Sequence, residues 1–518
     1  MLFHCGGRYE WRPAMSDSSL SKSSSGISYT TVDTAYFEQR KLKRHARVWS
    51  LWALGVGAVI SGHFSGWNLG IASGGWGGMF IAAVIIAVMY LGLTFSIAEM
   101  SAALPHTGAA YSFARTTMGP WGGFVTGLCE NVEYVITPAV VVSFIGAYMG
   151  SIFGTPTSFQ PVYWIFGYII FVGLNVVGVE LSFRVTLVVT LAALACLVAF
   201  WVSALPVMDF SRWALNMGVG PDGTAVELPN GGGPFLPFGI GGALAAMPFA
   251  VWLFLAIEQL PLAAEESVDP KTDMPRGIIA GMATLIVSAF MILWLNSSVA
   301  KGAFGLSTST EPLLDGFKAI YGTGIAQLLA LVAVIGLIAS FHTIIYAQGR
   351  QIYSLSRAGY FPRGLSVTHG SRKTPHVAMA AGAVVGLAIM LVIWFSLGAD
   401  AGSAAIGGTL LNMAVFGAML SYVMQAISFI RMRKNMPHVE RPYTSPFGIP
   451  GAVATILIAL VTIYFQLSDP TYRAGVIGVA IWFAIGIAYF ALHGRHKLVL
   501  SPEEEFALSG GTSEYKSY

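Results

Sequence analysis

Long apolar runs recur along the chain, and they constrain its fold more than any other feature of the sequence. About 20 consecutive apolar residues are enough to cross a bilayer. Twelve such runs can be counted, at 48–72, 76–103, 121–149, 159–178, 183–207, 238–263, 277–300, 322–348, 376–397, 405–430, 450–467 and 474–493. Because a helix satisfies its own backbone hydrogen bonds in lipid, the sequence predicts an all-α integral membrane protein with 12 transmembrane helices.

Composition and charge agree with this class. Only 10% of the residues are charged, whereas about a quarter of an average soluble domain is charged. With the N-terminus in the cytoplasm and the runs alternating, all but four of the 28 Lys and Arg residues lie on the cytoplasmic side. The exceptions are Arg212, Lys301, Lys318 and Arg473. This positive-inside pattern predicts a multi-pass protein of the plasma membrane with both termini cytoplasmic. The net charge of +3 then reflects topology, so no nucleic-acid partner is expected.

The polar ends and the cysteines carry no sign of enzymatic chemistry. Residues 1–47 are polar, rich in serine near the start and without a signal-peptide core, so they are predicted to be a disordered cytoplasmic tail. Residues 494–518 are predicted to be a second cytoplasmic tail. The three cysteines are scattered and have no disulfide or metal-ligand spacing. The chain also lacks a Walker motif and HExxH. We therefore expect no enzyme, no cofactor and no metal site.

Two of the apolar runs contain helix-breaking residues. Residues 59–70, VISGHFSGWNLG, carry Gly62, Gly66 and Gly70 together with polar side chains, and residues 239–266 contain several glycines and two prolines. Unwound backbone persists in lipid only where it lines a cavity or is buried in protein, and many secondary transporters bind substrate at such breaks in corresponding helices of two repeats. The alternative for a single glycine-rich helix is tight packing against a neighbour.

The positions of the two breaks, five helices apart, predict the domain organisation. Helices 1–5 at 48–207 would form repeat one, and helices 6–10 at 238–432 would form repeat two. Helices 11 and 12, at 450–493, would be appended to this core.

The third run carries acidic residues in the middle of a membrane segment. In the stretch TGLCENVEYVITPA, Glu130, Glu133 and Thr137 share one helix face. Each charge at mid-bilayer costs about 2.5–3.5 kcal/mol on insertion scales. The carboxylates must therefore face the protein interior, where a cationic amine is a natural partner. The alternative is a protonated structural carboxyl group bonded to a neighbouring helix.

Several motifs resemble the amino acid–polyamine–organocation transporter superfamily. They are AEMSAALPHTGAAYSFA (98–114), AAEESVDPKTDMPRGI (263–278), GRQIYSLSRAGYFP (349–362) and TPHVAM (374–379). Within that superfamily, VISGHFSGWNLGIASGGWGG and LCENVEYVITPA resemble the ethanolamine permease branch. The resemblance implies a five-plus-five inverted-repeat, LeuT-like fold with helices 1 and 6 broken, and cation-coupled uptake without an enzymatic step.

The resemblance also implies where substrate binds. Members of this superfamily hold a substrate carboxylate at exposed amides of the helix 1 break, which here comprises Ser61, Gly62, His63, Phe64, Ser65 and Gly66. His63 and Ser65 depart from the usual small residues and would provide partners for a hydroxyl group instead. The alternative for His63 is a hydrogen bond to a neighbouring helix. In helix 3, Glu133 would bind the ammonium group with Thr137 beside it.

In helix 6, Phe254 would be an aromatic lid over the substrate, and the carbonyl groups near Leu255 and Ala256 would accept from the ammonium group. Coupling or gating roles are predicted for a further set of residues, with simple packing or solvated pairs as the alternative. They are Glu130, Glu258, Glu265, His342 and Tyr346.

The sequence therefore predicts a transporter that imports ethanolamine or a similar small amine by alternating access. Its expected partners are the amine, the lipid bilayer and a coupling cation, which would be H⁺ by resemblance, with Na⁺ as the other possibility. Two alternatives stay open: an amino acid permease, for example for γ-aminobutyrate or aromatic amino acids, and a non-transporting amine sensor.

Overall fold

The computed structural model describes residues 27–30, 32, 34–40, 42–105, 108–215, 218–219, 225–226 and 233–500. This part of the chain is almost entirely helical. Its α-helices are α1 (Thr34–Glu38), α2 (Val48–Val59), α3 (Ser61–Phe64), α4 (Gly70–Ala103), α5 (Ala109–Phe153), α6 (Gln160–Val177), α7 (Val179–Ala204), α8 (Gly239–Ala245), α9 (Met247–Val251), α10 (Pro270–Ser297), α11 (Gly302–Leu306), α12 (Pro312–Arg357), α13 (His376–Leu397), α14 (Ala399–Ala405), α15 (Leu411–Asn435), α16 (Gly448–Ser468) and α17 (Arg473–Leu492). Two two-residue strands, β1 (Gly218–Val219) and β2 (Ala225–Val226), pair antiparallel after α7.

Within the described residues, ten helical stretches are long and apolar enough to cross a membrane. They are Trp67–Ala103, Ala109–Phe153, Thr157–Val177, Val179–Ala204, Pro270–Ser297, Leu328–Arg357, His376–Leu397, Ala399–Asn435, Gly448–Ser468 and Arg473–His496. Two further predicted runs, the first and the sixth, are interrupted helices: Val48–Phe64 is a shorter apolar helix, and 239–266 is divided into α8, α9 and a 3₁₀ segment.

Three glycines bend the chain inside continuous helical stretches whose starts differ from those predicted from the sequence. Gly75, Gly119 and Gly322 have φ of 65°, 76° and 73° with extended ψ, so the chain turns there and resumes a helix. The sequence predicts helix 3 from residue 121 and helix 8 from residue 322, whereas α5 starts at Ala109 and α12 at Pro312. Glycine is required at these turns because other L-residues rarely adopt positive φ. A short helical segment therefore precedes each of the spans that follow Gly119 and Gly322.

The helices pack around the two interrupted segments. α2 contacts α7, α10 and α12, and α4 contacts α8, α9 and α10, while α5 packs on both α12 and α15. The outer helices carry exposed apolar side chains such as Phe395 (78% exposed) and Leu492 (80% exposed). An apolar exterior of this kind fits a bilayer and would be a liability in water.

We call the end of the bundle that carries Arg47, Glu266, Arg357 and Arg433 the basic face. The sequence predicts a disordered tail as far as Arg47, but its described part packs against this face. Arg40 donates from Nε to Ser366 Oγ at 2.7 Å, and Ala46 forms a parallel bridge with Ser267. The rest of the two predicted tails, residues 1–26, 31, 33, 41 and 501–518, lies outside the described residues.

Candidate functional site

The first interrupted helix changes direction at two consecutive residues. Ser65 is extended (φ −163°, ψ 155°) and Gly66 has φ 97°, after which a 3₁₀ turn leads into α4. A Cβ on Gly66 would lie 2.6 Å from Trp252 Nε1, and one on Gly62 would lie 2.2 Å from Trp252 O. The glycines of this stretch therefore let the two interrupted segments cross in close contact.

The second interrupted helix loses its α-helical geometry after α9. Ala256 has φ 83° and ψ 5°, and a 3₁₀ helix follows it over Ile257–Glu266. The Ala256 amide donates to Glu258 Oε1 at 3.1 Å. A non-glycine residue with positive φ is strained, and the Glu258 carboxylate stabilises this turn by accepting from its backbone.

His63 connects the two interrupted segments to α10. Its Nε2 lies 3.0 Å from Leu253 O, and Ser288 Oγ lies 2.9 Å from its Nδ1. A carbonyl oxygen only accepts, so Nε2 carries a proton and donates to Leu253 O, while Nδ1 exchanges a hydrogen bond with the Ser288 hydroxyl. The ring is fully buried. These contacts correspond to the alternative reading of His63, a histidine bonded to neighbouring helices, and leave direct substrate contact a prediction.

The other side chains of the first break are also held by the protein. Ser61 Oγ donates to Ser340 Oγ at 2.8 Å, and Ser65 Oγ donates to Thr310 O at 2.7 Å. The phenyl ring of Phe64 packs on Gly336, where a Cβ would come within 2.4 Å of it. The predicted hydroxyl-binding residues thus lie together at the break, but a substrate hydroxyl would have to exchange with one of these partners.

Three carboxyl groups converge beside the second break. Glu130 and Glu133 of α5 and Glu258 are all at most 2% exposed. Glu133 and Glu258 lie close to each other, and Glu130 is near both of them. Among the described residues, no donor bonds either oxygen of Glu133 or the second oxygen of Glu258, and no side chain bonds Glu130. No described Lys or Arg forms an ion pair with the three groups.

Phenol groups surround these carboxyl groups. Tyr90 OH and Tyr422 OH are 2.9 Å apart, and Tyr134 is buried without a hydrogen-bond partner in the described part of the chain. The ring of Phe254 contacts Tyr90 with centroids 5.4 Å apart. Sequence reasoning missed the three tyrosines, although tyrosine at a mid-span position was the available signal. Phenols solvate carboxyl groups and can line a site for an ammonium ion.

Thr137 and the carbonyl groups of the second break complete the predicted binding set. Thr137 Oγ1 donates to Glu133 O at 2.7 Å within its own helix. Leu255 and Ala256 are buried at the turn beside Glu258. The structure thus brings Glu133, Leu255 and Ala256 to one region, whereas the Thr137 hydroxyl is already used by the α5 backbone.

Glu265, Tyr346 and His342, the predicted coupling or gating residues outside the central carboxyl groups, lie in two separate hydrogen-bond networks. At the basic face, Tyr346 OH donates to Glu266, and Arg350 makes two hydrogen bonds to the Glu266 carboxylate, at 2.7 and 3.2 Å. Beside them, Arg357 donates to Glu265 at 2.9 Å. The two arginines are cytoplasmic-loop residues in the sequence interpretation, but both belong to α12.

His342 takes no part in that network. Asn175 Nδ2 donates to its Nδ1 at 3.0 Å, and its Nε2 lies 3.2 Å from Ser182 Oγ. Ser182 in turn donates to Asn175 Oδ1 at 2.9 Å. His342 therefore joins α12 to α6 and α7 in a closed hydrogen-bond ring, and it does not bond Tyr346.

Comparisons with known proteins fit this architecture. The sequence model of the family described as "Amino acid permease" matches residues 51–498. An uncharacterized transporter of Rhizobium meliloti (strain 1021) is 26% identical over 80% of this chain and 85% of its own length. The branched-chain amino acid permease BcaP of Bacillus subtilis (strain 168) is 24% identical over 88% of this chain and 94% of its own length. The methylthioribose transporter of the same organism is 25% identical over 90% and 97%.

Proposed function

Because the chain belongs to the amino acid permease family, we propose that it is a secondary active transporter whose substrate is ethanolamine or a similar small amine. The family consists of transporters for small molecules, so the proposal goes beyond the family in naming the substrate. One observation carries it: the carboxyl groups of Glu133 and Glu258 meet beside a helix break without a basic partner among the described residues. A positively charged substrate would neutralise them, since uncompensated buried charge is costly.

In this proposal the ammonium group binds between Glu133 and the carbonyl groups of Leu255 and Ala256. Phe254 covers it with Tyr90 behind. The hydroxyl group of ethanolamine reaches the first break, where His63 or Ser65 exchanges a protein hydrogen bond for one to the substrate. Gly62 and Gly66 keep the two breaks next to each other, because side chains there would meet Trp252.

The proposed coupling ion is H⁺, and its carrier is the Glu133–Glu258 pair, assisted by Glu130. Two carboxylates in contact do not both ionise without a counterion, so the empty pair holds a proton between them. Na⁺ coupling is the rival. We assign the gate to Glu265 and Tyr346 together with Arg357, since opening the basic face requires their contacts to break. His342 would transmit that movement to α6 and α7.

The transport cycle requires a topology that we also propose: 12 spans, with the two interrupted helices completing the ten continuous ones. Packing partners support a five-plus-five inverted repeat. The first break packs on α10, the second span of repeat two, and the second break packs on α4, the second span of repeat one. In the same way, the fifth span of each repeat packs on the third span of the other: α7 on α12, and α15 on α5. Gly119 and Gly322 produce equivalent turns before the third and eighth spans. By the positive-inside rule, the basic face is cytoplasmic.

The test is uptake of labelled ethanolamine into proteoliposomes under an inward proton gradient, with protein-free liposomes as the control. We expect accumulation that excess ethylamine blocks and excess glycine leaves unchanged, because the site recognises an ammonium group without a carboxylate. Absence of accumulation, or equal block by glycine, would contradict the amine proposal.

The second candidate is an amino acid permease, which the similarity to a branched-chain amino acid permease favours. In that case a substrate carboxylate binds at the first break. Gly66 N already donates to Asn68 Oδ1 at 3.1 Å, which removes one amide from such a site. Block by glycine or γ-aminobutyrate would favour this candidate, and saturable binding without accumulation would instead indicate a sensor.

A further inference from the structure

A cavity of about 460 Å³ opens at the basic face, away from the carboxyl groups of the central site. The residues that line it come from three parts of the chain: Thr30 before α1, Arg363 after α12, and Tyr489, His493 and Lys497 at the end of α17. A backbone hydrogen bond from Thr30 N to Leu498 O at 2.7 Å and a side-chain hydrogen bond from Arg363 Nη2 to Lys497 O at 3.1 Å hold these parts together.

The cavity carries positive charge that the described residues do not neutralise. Neither Arg363 nor Lys497 forms an ion pair with a described carboxylate. Lys497 Nζ lies 2.7 Å from His493 Nε2, which can only accept from it. Arg363 Nε is buried and bonds no acceptor within the described chain. An anionic group in the cavity would supply the counter-charge that Arg363 and Lys497 lack among the described residues.

An apolar stripe leads along α17 to the rim of the cavity. Ile477, Ile481 and Ile485 are 50%, 56% and 67% exposed, and Leu492, next to His493, is 80% exposed. They belong to the candidate span Arg473–His496, so they face hydrocarbon when the protein is in a membrane. A ligand with a phosphate head and acyl chains would satisfy both surfaces at once, whereas free phosphate would satisfy only the first.

We propose that this cavity binds the phosphate headgroup of an anionic phospholipid. Arg363 and Lys497 contact the phosphate, and the acyl chains lie along the exposed stripe of α17. Basic pockets at the cytoplasmic ends of membrane helices are suited to such headgroups. The bound lipid would fasten the segment before α1 to the end of α17. This site does not depend on the transported substrate.

The experiment compares delipidated full-length protein in neutral detergent with and without added phosphatidylglycerol or phosphatidylcholine. Thermal unfolding reports stabilisation, because a ligand that binds only the folded state raises the unfolding midpoint. Native mass spectrometry counts retained lipids. We expect phosphatidylglycerol to raise the midpoint and to remain bound, and phosphatidylcholine to do neither. Equal effects of the two lipids would overturn the proposal.

Lys497→Gln and Arg363→Gln should each lose most of the phosphatidylglycerol shift, and Lys497 is exposed enough for its variant to fold normally. The matched control is Arg372→Gln, which removes an exposed arginine that does not line the cavity. The control should retain the full shift. A shift that survives in both cavity variants would overturn the assignment.

Two further experiments distinguish the lipid from other groups that could occupy the cavity. Inorganic phosphate that stabilises the protein as well as phosphatidylglycerol does would indicate a free-anion site and overturn the lipid proposal. The acidic run Glu503–Glu505 follows soon after the cavity in sequence. If phosphatidylglycerol acts only on an E503Q/E504Q/E505Q variant, the chain's own tail occupies the site, and the proposal is wrong for the native protein.

Discussion

Two groups of buried carboxyl groups differ in what neutralises them. At the basic face, Glu265 and Glu266 bond arginines of α12. A third acid at that face, Glu99, accepts from Arg433 at 2.6 and 3.0 Å. At the centre, Glu133 and Glu258 face each other without an arginine or lysine among the described residues. Glu99 and Glu266 are as far removed from water as the central acids, so burial alone does not distinguish the two groups.

Under the proposed function, the difference separates acids that hold the fold from acids that bind a ligand. A buried charge costs several kcal/mol unless a partner compensates it. At the basic face the chain supplies that partner itself, and each pair ties two helices together. At the centre the partner must come from solution, as a proton or as the ammonium group of a substrate. This comparison can be tested by neutralising the two groups separately.

The largest effect is expected for Glu266→Gln. Glu266 and Arg350 are both fully buried, so the substitution leaves the guanidinium without its counterion. Breaking a buried pair in this way costs about 3–5 kcal/mol. The measurement is the free energy of unfolding of the purified protein in detergent. Glu440→Gln is the control, because its pair with Lys271 is exposed. A loss no larger than that of the control would remove the basis of the comparison.

A smaller loss is expected for Glu99→Gln. Arg433 is 22% exposed and can turn toward water when its partner is neutralised. The Ser445 amide, which donates to Glu99 at 2.7 Å, keeps an acceptor in the glutamine oxygen. A net loss of about 1–3 kcal/mol follows for hydrogen bonds to a charged group. The same unfolding measurement tests it, and a loss equal to that of Glu266→Gln would show that exposure of the arginine does not matter.

Neutralising an acid of the central group should change the stability little and weaken substrate binding strongly. Glu133→Gln removes an acid that has no internal cation, so the free energy of unfolding should change by less than about 1 kcal/mol. Binding of ethanolamine should weaken at least tenfold, which corresponds to about 1.4 kcal/mol. Unfolding and equilibrium binding of the labelled amine are measured on the same preparation.

The companion variant for that measurement is Glu130→Gln. It has the same chemistry one helical turn away but lacks the direct contact with Glu258, so its binding loss should be smaller. Unchanged amine affinity in Glu133→Gln would exclude Glu133 as the ammonium partner. A stability loss like that of Glu266→Gln would instead move Glu133 into the structural group.

Much of the fold was predictable because its signals are local. Apolar runs identify spans, and the glycines of residues 59–70 mark a break wherever the helix lies in the bundle. The motifs at 263–278 and 349–362 predicted the superfamily, which the family match confirms. The ethanolamine branch, the site residues and the five-plus-five repeat stay predictions. The bends at Gly119 and Gly322 were missed, although the Gly-Pro step after Met118 was a local signal for the first of them.

The partners of the site residues could not be predicted in the same way. Glu266 and Arg350 are 84 positions apart, and His63 and Ser288 are 225 apart. Whether such residues meet depends on the rotation of each helix about its axis, and a shift of one residue turns a side chain by about 100°. An apolar run that is hydrophobic on all sides does not record that rotation. The sequence therefore supplied the acids but not what neutralises them.

The smallest effect tests whether Glu258 belongs to both groups. Ala256 has φ 83°, so Ala256→Gly should relieve strain and stabilise the protein by less than about 1 kcal/mol, after the added freedom of the unfolded chain is counted. If the Glu258 carboxylate holds this turn, Glu258→Met, which removes the acceptor, should cost more stability in the native background than in the Ala256→Gly background, where the turn needs less support. A double-mutant cycle measures that coupling between the two positions. Equal losses in both backgrounds would mean that Glu258 does not stabilise the break and serves only the ligand, the role proposed for Glu133.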